Sequence, residues 1–217
     1  MSEHNFLSMR RAMVESQLRT TDVSDPAVIA AMASVSRENF VPKDLAALAY
    51  TDRAVSLGGG RSLNPPLATG LLLTVAEVSK DDHVLLIGSA TGYAAALLAE
   101  LVGSVVAVEE SQELHKQALN NVTELDNVIL VEGALSDGYS KAGPYSLIII
   151  DGAVEQLPDS CVDQLGDEGR LVTAVMDDGV SRLAIGRKAA GAFGLSYFAD
   201  SDAVVLPGFE KAKAFSF

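Results

Sequence analysis

The sequence predicts an α/β protein built on a doubly wound, mostly parallel sheet, and three observations predict it. Short aliphatic or β-branched runs alternate with helix-forming stretches along most of the chain. Those runs are continuously apolar rather than alternating, as strands buried on both faces are. Residues 83–110, HVLLIGSATGYAAALLAELVGSVVAVEE, read in one piece as strand, glycine turn, helix, strand and terminal acid.

The 217 residues and 22.7 kDa suffice for one well-buried domain and are short for two. Within it, residues 1–80 are expected to form a helical flank ending in a glycine-rich loop, 81–175 the cofactor-binding core, and 176–217 a strand-bearing tail. Hydrophobic residues at 48% and a mean hydropathy of +0.24 suit a globule, not a disordered chain. A formal charge of -13 and a pI near 4.5 repel nucleic-acid backbones and anionic membranes, so neither is expected as a partner. No stretch is long and apolar enough for a signal or a span, and the expected compartment is the cytoplasm.

Residues 5–19 space Phe6, Met9, Met13 and Leu18 near helical period, and a second helix opens at Asp25 as cap with Pro26 in its first turn, running through Val35. The loop of residues 58–66, GGGRSLNPP, combines stiffening prolines with glycines that permit close approach to a ligand. A helix then runs to about Val78. The strand 84–87 is closed by Gly88, a helix covers 93–101, and the strand 105–108 ends at Glu109. Beyond it come a helix at 113–125 and strands at 128–131, at 146–150 ending in Asp151, and at 170–175 after the turn Asp167-Glu168-Gly169. The tail holds two weaker strand candidates, one at 203–206. Asp177-Asp178 and Asp200-Ser201-Asp202 read as solvated turns, and the end carrying Phe209, Phe215 and Phe217 as a packed terminus or self-association surface.

Ligands of such sheets bind outside the carboxyl ends of the strands, which gathers Gly88, Glu109, Glu132 and Asp151 around one crevice. Gly88 and Glu109 stand about 20 residues apart, the interval between a Rossmann-like glycine turn and the acid that receives a ribose hydroxyl. A dinucleotide fingerprint requires a small residue where bulky Tyr93 follows Gly92, which disfavours NAD and FAD. Gly88-Ser89-Ala90-Thr91-Gly92 fits a turn curling under a small amino-acid-bearing nucleoside, for which S-adenosylmethionine is the common ligand. The alternative is a plain strand-to-helix connection. No Walker loop occurs. Cys161 reads as a packed core thiol, and His4, His83 and His115 lack metal-ligand spacing, so no metal is expected.

Segments along most of the chain resemble the protein-L-isoaspartate O-methyltransferase family. Met13-Val14-Glu15-Ser16-Gln17-Leu18 is similar to its opening helix, and Ser36-Arg37-Glu38-Asn39-Phe40-Val41-Pro42 to its PRE-x-FVP segment. Ala49-Tyr50-Thr51-Asp52 follows as its AY-x-D, and Leu57-Gly58 leads into the loop. Asn127-Val128, Gly143-Pro144-Tyr145, Pro158 and Gln164-Leu165 with Gly169-Arg170-Leu171-Val172 match later family segments. The resemblance implies the methyltransferase type of α/β fold, S-adenosylmethionine as cofactor, and carboxyl methylation of isoaspartyl residues in damaged proteins.

Departures fall on the functional motifs. Where the family loop places a serine this chain has Asn64, the acid before the glycine turn is Leu86, the middle glycine is Ala90, and the adenine-side aspartate is Ala134. Two missing carboxylates, at roughly 1 to 3 kcal/mol per charged hydrogen bond, weaken donor binding by one to several powers of ten unless others compensate. The resemblance carries donor contacts onto Gly88, Ser89, Ala90, Gly92, Glu109, Glu110, Glu132, Gly133 and Ala134. It carries substrate contacts onto Ser62, Leu63 and Pro65 and the loop serine's reacting-centre position onto Asn64; Asp151 stands where this family usually has a small or neutral residue and where other S-adenosylmethionine enzymes often place an acid or amide near the reacting methyl. Asp151 reads either as a group near the transferred methyl or as a cap of the following Asp-Gly turn. Three functions stay open: the family reaction, methyl transfer to another acceptor, and a scaffold kept as a binding module.

Overall fold

The computed structural model describes residues 3–211. The N-terminal helix is divided. Helix α1, Glu3–Met13, passes into a π-helical turn, Val14–Leu18, whose Val14 and Leu18 are buried while Phe6 and Met9 lean on the same core. Helix α2, Pro26–Ser34, starts where the cap was expected: the Asp25 carboxylate accepts the Ala27 and Val28 N–H groups at 2.7 and 3.2 Å, satisfying donors that the first turn leaves unpaired.

Residues 58–66 are not an open loop. They belong to a hairpin of β1, Val55–Gly58, and β2, Arg61–Leu63, followed by α3, Pro66–Val75. Gly58, Gly59 and Gly60 all have left-handed φ, and a Cβ on any of them would meet nothing within 4 Å. The glycines serve the reversal of the chain, where no other protein group approaches them, and Gly59 and Gly60 border an open groove.

The core unit follows as β3, His83–Ile87, α4, Tyr93–Leu101, β4, Ser104–Glu109, α5, Gln112–Asn121, and β5, Val128–Glu132. Then come β6, Tyr145–Val154, the four-residue α6, Asp159–Val162, β7, Leu165–Asp177, β8, Val180–Ala189, and β9, Ala192–Asp200. The sheet order is β5-β4-β3-β6-β7-β8-β9; the first five strands are parallel, and the last two return antiparallel. Strand β6 continues through Asp151 and Gly152, so Asp151 caps no turn. Asp178 and Gly179, both at positive φ, form the tight β7–β8 turn, the geometry that matches strand twist.

Alternate residues divide the core. Val84, Leu86, Val105, Ala107, Leu147 and Ile149 pack under the helical flank and α4; Leu85, Ile87, Val106, Val108, Ile148 and Ile150 face the other side. That second side has a thin cover: two short helical turns, Leu135–Asp137 and Ser140–Ala142, then α6 and the chain after β9, whose Leu206 and Phe209 are buried. Cys161 is buried in this cover, where loss of water pushes its thiol up to about 11, as a packed core thiol should be. The expected terminal surface at Phe215 and Phe217 lies outside the described residues. Among the described residues no helix is long and apolar enough to cross a membrane.

Candidate functional site

The carboxyl ends of β3, β4 and β6 meet where the sheet order turns outward in both directions, the expected place for a ligand crevice. Gly88 and Gly92 hold the turn at left-handed φ, and Ala90 does so as well at φ 49, where a side chain is strained. The turn is braced from the flank: the Thr91 hydroxyl donates to the Phe40 carbonyl at 2.6 Å, so the segment that resembled PRE-x-FVP holds the turn in place.

Glu109 ends β4 completely buried. Arg61 grips it bidentately, Nη1 to Oε1 at 2.5 Å and Nη2 to Oε2 at 3.0 Å. The Ala90 N–H donates to Oε2 at 2.8 Å and the Ser111 N–H to Oε1 at 2.9 Å. A carboxylate offers about four lone-pair positions, and here all are engaged within the protein.

Asn64 follows β2, buried. Its Nδ2 donates to Asp151 Oδ1 at 2.8 Å, its Oδ1 accepts the Val204 N–H at 2.8 Å, and its backbone carbonyl accepts from the Arg37 guanidinium. Arg37 is fully buried, donates Nε to the Ala49 carbonyl at 2.7 Å, and lies 4.6 Å over the Tyr93 ring. Burial pushes the Asp151 carboxyl above its ordinary range, and the Asn64 hydrogen bond, Arg37 and Arg61 pull it partly back.

Residues 203–209 run across these strand ends. The Ala153 N–H donates to the Val204 carbonyl at 2.7 Å, the Leu206 N–H to the Ala153 carbonyl at 2.9 Å, and Val205 forms a parallel bridge with Ala153. Leu206, 2% exposed, sits in a slot between two glycines. A Cβ on Gly88 would lie 3.0 Å from its Cδ1, and one on Gly152 would lie 2.5 Å from its Cγ. What stays open is a groove of about 620 Å³ between the hairpin tip and residues 205–207, reaching Glu110 and Ser111.

The structure thus brings together Gly88, Ser89, Ala90, Gly92, Glu109, Asn64 and Asp151, with Leu63 and Pro65 buried beside them and Ser62 half-buried on β2. Glu132, paired with Glu109 in register, and Ala134 are exposed, and the Gly133 N–H bonds the Glu109 carbonyl. Leu86 points away, into the core under the helices. Sequence reasoning missed Arg61, Arg37 and Leu206. One signal for the first was present: Arg61 is the only base between Arg53 and Lys80.

In this arrangement the crevice is closed by the protein's own groups. Every lone-pair position of Glu109 is taken by a protein donor, Leu206 lies against Gly88, and Ser89 and Ala90 are only 1% and 4% exposed. Among the described residues no group of three His, Cys, Asp or Glu side chains is placed to hold a metal ion.

Comparison with known proteins supplies the rest. A protein-L-isoaspartate O-methyltransferase of Methanoculleus marisnigri is 38% identical over 168 residues, 76% of either chain. One of Herpetosiphon aurantiacus is 39% identical over 170 residues, 77% of this chain and 76% of the relative. A solved protein-L-isoaspartate O-methyltransferase superposes with a TM-score of 0.79 at 25% identity, covering 92% of this chain; this chain spans 66% of that one. The pattern defining the protein-L-isoaspartate(D-aspartate) O-methyltransferase family matches residues 8–202, and this chain, with that family's fold and glycine turn, belongs to it.

Proposed function

We propose that this chain catalyses its family's reaction, transfer of a methyl group from S-adenosylmethionine to the side-chain carboxylate of an isoaspartyl residue in a damaged protein. The family match over residues 8–202, with the glycine turn and the β4 acid at the strand ends, carries the reading. The donor supplies an electrophilic methyl on a sulfonium. An acceptor carboxylate, with a reference pKa near 4, is already anionic at neutral pH, so no side chain has to remove a proton. What the protein contributes is alignment and the exclusion of water.

On this reading Asn64 and Asp151 face the acceptor, with Ser62, Leu63 and Pro65 beside them. A charged Asp151 repels an anionic acceptor; burial moves it toward the neutral form, which can donate a hydrogen bond instead. The acidic surface and the single buried thiol suit a cytoplasmic protein acting on other proteins. The test is methyl ester formation on an isoaspartyl peptide, with the aspartyl peptide as control. Esterification above the control is expected, and equality rejects the reading.

A second reading, a scaffold kept for binding, is favoured by one observation: Glu109 is saturated by Arg61 and two backbone N–H groups. It predicts that the demethylated donor never binds, whatever the state of the crevice.

A further inference from the structure

We propose that residues 203–209 are an intramolecular gate on the donor crevice, seated by Leu206 between Gly88 and Gly152 and locked by Arg61 on Glu109, so that the donor binds only when the gate withdraws. The inference rests on the reading of this crevice as the donor site.

Three observations carry it. The slot is shaped for the occupant: a Cβ on Gly152 would collide with Leu206, one on Gly88 would press tightly on its methyl end, and the leucine is almost wholly buried. The segment is fastened by hydrogen bonds on both flanks, through Ala153 on β6 and through the Asn64 amide, which accepts the Val204 N–H while donating to Asp151. The position predicted to orient the acceptor thereby holds the gate closed. Finally, the acid that would receive the ribose is neutralised by a cation from the β1–β2 hairpin, which completes the closure from the opposite side.

Seated Leu206 competes with a bound donor for volume and Arg61 competes with it for the Glu109 carboxylate, so closed crevice and bound donor exclude each other. Withdrawal of the segment uncovers Gly88 and Gly152, since the Val204, Leu206 and Ala153 contacts are continuous along one strand-like segment, and Glu109 is freed only when Arg61 also lets go. The donor's apparent affinity is then its affinity for the open form reduced by the fraction of molecules that are open.

Calorimetry of the full chain with S-adenosylhomocysteine, wild type beside L206A and the double variant R61Q/L206A, tests the gate. At least tenfold tighter binding by the double variant, with L206A between it and wild type, is expected. Hydrogen exchange on wild type gives a reading that requires no substitution: saturating S-adenosylhomocysteine should accelerate exchange of the Val204 and Leu206 amides. Equal affinities in all three proteins, with those amides still protected in the complex, overturn the gate and leave the donor site standing. Absence of binding in all three, while exchange shows residues 203–209 released in the double variant, overturns the donor reading and the gate with it.

Discussion

Ala90 keeps the left-handed backbone of a position where the family has glycine, at a cost of roughly 1 to 2 kcal/mol for an L-residue. Ala90→Gly is therefore expected to raise stability by about 0.5–1 kcal/mol, after the entropy that glycine adds to the unfolded chain; a urea midpoint shift to lower denaturant shows instead that the buried methyl group outweighs the strain. Asp151 makes a second prediction at this scale. Its folded pKa lies above that of the unfolded chain, so the folded state binds the proton more tightly, and stability rises as pH falls from the raised value toward the ordinary carboxylate range near 4. Wild type should gain stability relative to Asp151→Asn between pH 8 and pH 5, read by urea unfolding at both; parallel curves contradict this. Such residues were partly legible. Glu109 and Asp151 announce themselves as acids ending apolar runs. Arg61 does not, because its partner lies 48 positions away and nothing in local pattern records the pairing.

The parallel strands were legible because β-branched runs buried on both faces leave a contiguous signal, and the limits of α4 follow from Gly92 before it and Gly103 shortly after it. Strand β8 was not legible. Its inward positions include Ser181 and Gly186, its outward ones are Arg182 and Arg187, and a bulge between Leu183 and Ala184 breaks the alternation. Strand β2 is three residues long and hid inside a glycine-proline stretch. The elements are also tied by charge. Asp82, just before β3, receives Arg170 of β7 at 3.0 and 2.6 Å and the Ser146 hydroxyl of β6 at 2.7 Å. Burial alone would raise this carboxyl, but these bonds and the Ser79 N–H hold it below its ordinary range. Its contribution is present above the ordinary carboxylate range and is lost as pH falls through the depressed folded value. Arg170→Met is expected to cost about 3 kcal/mol at pH 7, since it leaves a buried carboxylate without its cation, held only by the Ser146 hydroxyl and the Ser79 N–H, and less in acid below pH 4; a pH-independent loss would assign the effect to packing.

For the whole molecule, the thin cover on one side of the sheet gives residues 203–209 two duties, burying apolar surface and closing the crevice. Ligand linkage separates them. A ligand at one hundred times its dissociation constant adds about 2.7 kcal/mol, worth roughly 5–11 °C for a chain of this size. R61Q/L206A should melt below wild type and regain degrees with S-adenosylhomocysteine, while wild type barely moves; equal gains in both proteins would show that closing the crevice does not oppose the ligand. The position of this segment in the chain also orders events in time. Translation adds roughly 5–20 residues per second, so the last parallel strand, ending at Asp177, is synthesised about one to six seconds before Leu206. During that interval nothing from residues 203–209 covers Gly88. A chain held ahead of Ala203 lacks the leucine that fills the slot between Gly88 and Gly152, and the slot closes only once residues 203–209 have been made.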